Sequence, residues 1–114
     1  MSRDDPQVRL RHMLDYAREA VGLIRDRQRA DLDRDRTLGL AILRCVGIVG
    51  EAASRVPADV QRRYPDIPWP QIIGMRNRLA HGYDIVDYDI VWNTVTHDPP
   101  PLIAELAKIS TANP

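Results

Sequence analysis

The chain has one cysteine, one lysine and no net charge, and its apolar runs are short. Each scarcity excludes something. Cys45 has no partner for an internal disulfide, so a reducing cytoplasm is the expected home. Three histidines with a single cysteine do not furnish a structural zinc cage, so no metal site is expected. Glycine or charge interrupts every apolar stretch within a few residues, which argues against a membrane span. The opening Met1-Ser2-Arg3-Asp4-Asp5 lacks the apolar centre of a secretory signal. A balance of zero between cations and anions argues against a broad electrostatic nucleic-acid binder. No Gly-Ser dipeptide occurs, which removes the Gly-Ser turn and spaced carboxylates with which a nucleotidyltransferase holds magnesium.

What remains is a chain of 114 residues, long enough for one domain (residues 1–114) with one modest core. Its 44% hydrophobic and 28% charged content is that of an ordinary globular protein. Lys108 is the only lysine, so any phosphate contact would be made by guanidinium forks rather than by ammonium groups.

The periodicity is helical throughout, and the expected class is all-α. Asp5-Pro6 reads as an N-cap followed by proline at the first helical position. Leu10, Met13, Leu14, Ala17, Val21 and Ile24 follow at helical spacing and predict a first helix from Pro6 to about Arg29. The charge run Asp31 to Arg36 reads as a loop or a frayed helix start. A second helix, about Thr37 to Val56, is apolar nearly all round, which predicts burial on several sides or a subunit interface. Gly39, Gly47 and Gly50 weaken its helix propensity but permit close approach of neighbours. A short turn spans Asp59 to Tyr64. The connector Tyr64-Pro65-Asp66-Ile67-Pro68-Trp69-Pro70 is stiff, because each proline fixes its own φ and restricts its predecessor. Another helix runs from Pro70 to His81, with Gly82 as the residue beyond its end. A further helix starts near Asp87 or Asp89, Asp98-Pro99-Pro100-Pro101 breaks it, and a last helix covers roughly Pro101 to Ile109.

The chemistry is concentrated in Arg76-Asn77-Arg78-Leu79-Ala80-His81-Gly82-Tyr83. RNA carries its own nucleophile, the 2′-hydroxyl. Cleavage needs a base for that proton, an acid for the 5′-oxygen leaving group, and a cation for the phosphoryl charge. His81 can serve as base or acid and Arg76 as the clamp. One histidine cannot hold both protonation states at once, so a dimer must bring two copies together or water must take one role. Residues five apart on a helix point about 140° apart, so Arg76 and His81 converge only if the helix unwinds at His81 or if they come from different subunits. Asn77 and His81, four apart, would share a face. Gly82 permits the unwinding.

Glu51-Ala52-Ala53, the connector Tyr64 to Trp69, the run Ile72 to Tyr83, and Ile90-Val91-Trp92 together resemble the HepT toxins of the HEPN superfamily. The signature of that family is Arg, four to six residues, then His, with a polar residue after the Arg and a Tyr two beyond the His. Arg76, Asn77, His81 and Tyr83 fill those places. The resemblance implies a small antiparallel bundle of about five helices, a homodimer and a metal-independent ribonuclease without cofactor. It makes Arg76 and His81 the catalytic pair, Asn77 their support and Tyr83 a modification site. It also implies the setting of a type II (HEPN/MNT) toxin-antitoxin system. There a nucleotidyltransferase antitoxin silences the toxin by transferring AMP to the tyrosine. The second reading is a non-catalytic helical dimer that binds a nucleotidyltransferase partner or a nucleotide.

Elsewhere, Trp69 and Trp92 read as packing residues, His12 and His97 as surface residues, and Cys45 as a small core residue. Glu51, on a largely apolar helix, could cap a neighbouring helix or pair with Arg76.

Overall fold

The computed structural model describes residues 5–79 and 86–112, apart from the side chains of Arg76 and residues 110–112. The first helix, α1, spans Pro6–Ile24, and Asp5 caps it by accepting from the Gln7 amide at 2.8 Å. It stops short of the expected Arg29 because Asp26 takes a left-handed φ of 60°, a conformation aspartate tolerates better than most residues. The charge run, expected as a loop or a frayed helix start, contains a one-turn helix, α2 (Asp31–Arg34), held down by buried Leu32.

Helix α3 (Arg36–Ser54) is the centre of the molecule. Asp35 caps it by accepting from the Leu38 amide. It packs against α1 along most of its length, and also against α2 and the segments α5 (Trp69–Ile73), α6 (Met75–Leu79) and α7 (Tyr88–His97). By length and composition α3 alone among the described helices is apolar enough to cross a membrane, which the interrupted apolar runs did not suggest. Half of that stretch is buried inside the domain, the position of a core helix. Its glycines divide. A Cβ on Gly39 would lie 2.9 Å from Tyr88 Cε1, and one on Gly50 would lie 3.3 Å from the Ile72 carbonyl oxygen. Gly47 faces open space and serves no close approach.

The short helix α4 (Ala58–Arg63) leads into the proline-rich connector, which Trp69 fastens. The buried indole N–H donates to the carbonyls of both Gln61 and Tyr64 at 3.1 Å. The helix expected from Pro70 is divided at Gly74 into α5 and α6. There the Asn77 amide reaches back only three residues, to the Gly74 carbonyl at 3.1 Å, a tightened turn. Its expected end at His81-Gly82 lies outside the described residues. Helix α7 is capped by Asp87, which accepts from the amides of Asp89 and Ile90. The proline run breaks the chain only at Asp98, and α8 (Pro99–Ala112) begins at once. Proline is suited to a first turn, whose N–H groups have no helical partner. Helices α1, α3, α7, α8 and the interrupted α5–α6 pair account for the five expected, and the described residues form an all-α domain. Their buried faces meet in one apolar core that includes Met13, Ile42, Val46, Ile72, Met75, Val91 and Leu102.

Candidate active site

Sequence reasoning placed the chemistry on Arg76, Asn77, His81 and Tyr83. Helix α6 carries the first two. Met75 and Leu79, four apart, are both buried, and they seat this short segment against α3 and α7. Of the residues between them, Arg78 is exposed on the outer side of the turn. Asn77 is exposed there. Arg76 belongs to the same turn by its backbone, and its side chain is not described. His81 and Tyr83 lie outside the described residues.

The framework on both sides of that stretch is well defined. On the α6 side, Arg78 donates from Nη2 to Asp98 Oδ2 at 2.8 Å, joining the turn to the α7–α8 junction. On the α7 side, the Tyr88 ring lies against Gly39 of α3. Arg29 also reaches across from the α1–α2 loop and donates from Nε to Asp89 Oδ1 at 2.7 Å. Its Nη1 donates to Asp33 Oδ1 at 3.0 Å, and these two carboxylates raise the guanidinium pKa above its usual value. The described helices on either side of that stretch, α6 and α7, both pack against the core helix.

Glu51, the ambiguous carboxylate of α3, accepts from Arg55 Nε at 3.0 Å within its own helix. Cys45 is buried, and its thiol is pushed up to about 11, chiefly by burial and further by the negative charge of Glu19. That is the behaviour of a core residue, not of a nucleophile. Trp69 is buried and Trp92 is partly buried against the core. His97 is exposed on α7. His12, expected on the open surface, is instead half-buried. It lines a cleft between α1 and α3 with Arg9, Arg44, Gly47, Glu51 and Arg55. Sequence reasoning missed this cleft, and the only hint of it was the dominance of arginine among the cations.

An all-α domain that presents an Arg–Asn turn beside its central helix defines a broad class. Comparison with known proteins makes it specific. The chain matches the family described as "Ribonuclease HepT-like" over residues 13–109. It is 36% identical over 95 residues to "Probable ribonuclease HepT" of Thermococcus cleftensis, covering 80% of this chain and 86% of that protein. It is 31% identical over 109 residues to "Putative RNase MJ0125" of Methanocaldococcus jannaschii, covering 96% of this chain and 94% of that protein. No solved structure gives a significant match. The chain belongs to the HepT-like ribonuclease family of the HEPN superfamily.

Proposed function

We propose that the chain is a metal-independent endoribonuclease and the toxin of a HEPN/MNT toxin-antitoxin pair. The observation that carries this reading is the run Arg76 to Tyr83, complete in sequence and entered from a turn whose buried Met75 and Leu79 seat it against the central helix. In the proposed reaction, the substrate's 2′-oxygen forms a bond to the adjacent phosphorus while the bond from phosphorus to the 5′-oxygen breaks. The 2′-hydroxyl proton passes to a neutral imidazole and the 5′-oxygen takes a proton from an imidazolium. Arg76 neutralises the charge that gathers on the phosphoryl oxygens. Asn77 supports the pair from the same turn. The products are a 2′,3′-cyclic phosphate and a 5′-hydroxyl.

A homodimer supplies the second histidine that this scheme requires. Leu40 on α3 supports such an assembly. It is 49% exposed, the only large apolar side chain so open among the described residues. The natural place of work is the cytoplasm, where RNA is available and Cys45 stays reduced. Control falls to Tyr83. A nucleotidyltransferase partner transfers AMP from ATP to its hydroxyl, with release of pyrophosphate. The added phosphate and nucleoside then exclude RNA by charge and by bulk.

Growth on induced expression, combined with intact mass measurement, tests this. Wild type should arrest growth and Arg76→Ala should not. Co-expression of a cognate nucleotidyltransferase should restore growth and add AMP increments that disappear in Tyr83→Phe. AMP increments persisting on Tyr83→Phe would place the control point elsewhere, and arrest by Arg76→Ala at equal expression would remove the catalytic assignment.

A further inference from the structure

Helix α6 spans five residues, and its described side chains divide cleanly: Met75 and Leu79 are buried, Asn77 and Arg78 exposed. Two anchors four apart lie along one side of a helix. They fix where its axis runs but resist rotation about that axis only weakly. Arg78 supplies an attachment away from that side. Its Nη2 donates to Asp98 Oδ2 at 2.8 Å, across 20 positions of sequence. Arg78 stands about 60° round the helix from Met75 and about 100° from Leu79, so its grip has leverage on the roll. Asp98 is a firm post. It closes α7, its amide donates to the Thr94 carbonyl at 2.9 Å, and α8 starts at the next residue. Its side chain is 14% exposed, the most enclosed carboxylate among the described ion pairs. Enclosure weakens screening by water and salt.

We propose that Asp98, acting through Arg78, is a positioning residue for the turn that carries Arg76 and Asn77. The pair sets the roll of α6 about its Met75–Leu79 side, and so the direction in which the turn presents Asn77. This rests on the ribonuclease reading. A helix with its side chains is about 5–6 Å in radius, so a roll of about 10° moves a side-chain tip by about 1 Å. A misplacement of that size is enough to slow a reaction by as much as about a hundredfold. Stability is touched far less, because Met75 and Leu79 stay buried when the pair is broken. The signature is therefore a loss of turnover out of proportion to any loss of stability. A direct contact of Arg78 with RNA phosphate predicts the opposite at Asp98. Removing the acid would then free the guanidinium and tighten RNA binding.

Steady-state cleavage of a single-stranded RNA by the full chain separates kcat from KM, with thermal melts to confirm folding. Asp98→Asn and Arg78→Met should each lower kcat about tenfold and leave KM within about twofold. The double variant should be no worse than either single one, because both remove the same contact. Arg78→Lys, which keeps one bond to Asp98, should recover most of the rate. Lys108→Ala, which breaks the pair with Glu105 inside α8, should change neither constant. The Asn77 side-chain amide in an NMR spectrum reads the roll without any catalysis, and Asp98→Asn should shift or broaden it. Wild-type kcat in Asp98→Asn, or losses that multiply in the double variant, would overturn the proposal. So would a raised KM confined to Arg78→Met, which would make Arg78 an RNA contact. If wild type leaves RNA intact while Asp98→Asn still moves the Asn77 signal, the positioning role stands and the nuclease reading falls. An unmoved signal overturns the positioning role.

Discussion

Two glycines three residues apart on α3 predict opposite outcomes for one substitution. Alanine is favoured over glycine in a helix by about 1 kcal/mol, and Gly47 and Gly50 both lie in the interior of α3. At Gly47 the new methyl meets nothing within 4 Å. The gain should be kept, so Gly47→Ala should stabilise by about 0.5–1 kcal/mol and raise Tm by roughly 2–6 °C. At Gly50 the methyl would sit 3.3 Å from the Ile72 carbonyl oxygen and 3.5 Å from that of Ile73. These are backbone atoms of α5, which cannot rotate away as a side chain does. Accommodating the methyl moves α5 by a few tenths of an ångström, and the cost offsets most of the helix gain. Gly50→Ala should therefore be near neutral, and Gly50→Val, with two further methyl groups, should cost about 1–3 kcal/mol. Because α6 continues from α5 through Gly74, Gly50→Val should also lower RNA cleavage. Urea unfolding followed by circular dichroism reads all three variants. Equal stabilisation by alanine at both positions would refute the account of how α5 and α6 rest on the central helix.

Three further outcomes follow from single contacts. The Cys45 thiol, raised from 9.0 to about 11, stays protonated in the folded chain where the unfolded chain ionises. Its contribution is complete below pH 9 and is lost as pH rises toward 11, up to about 2–3 kcal/mol. Cys45→Ala should flatten that alkaline limb of a pH–stability profile. Trp69→Phe strips the donor from the Gln61 and Tyr64 carbonyls and should cost about 1–2 kcal/mol in chemical denaturation. Arg78→Ala breaks a half-exposed pair with Asp98 and should cost about 1 kcal/mol or less.

Much of the fold was legible because its signals are local. Asp5, Asp35 and Asp87 each stand at the N-terminus of a long helix, and two of them announced it in the sequence. The buried stripe Leu10, Met13, Leu14 and Ala17 has the helical period that α1 displays. The misreadings have physical causes. Proline at Pro99 and Pro100 looked like a longer interruption, yet a first helical turn needs no donors there. The left-handed Asp26 left no mark in the hydrophobic pattern, so α1 seemed longer than it is. The three glycines of α3 are alike in sequence, and only their neighbours distinguish them: Tyr88 beside Gly39, α5 beside Gly50, open space at Gly47. The motif was readable as a contiguous run. The cleft was not, because Arg9 and Arg44 come from different helices and meet only after α1 packs on α3.

In the proposed function Arg76 and His81 cleave RNA by acid–base chemistry at a phosphodiester, without a metal. The most direct measurement is cleavage of a single-stranded RNA by purified wild type, Arg76→Ala and His81→Ala in excess EDTA, with end-group analysis of the fragments. Wild type should cut and leave 2′,3′-cyclic phosphate and 5′-hydroxyl ends. Each variant should lose at least about a hundredfold in rate while keeping its thermal transition. Cleavage that stops in EDTA and returns with added magnesium, or that survives in either folded variant, would contradict the claim.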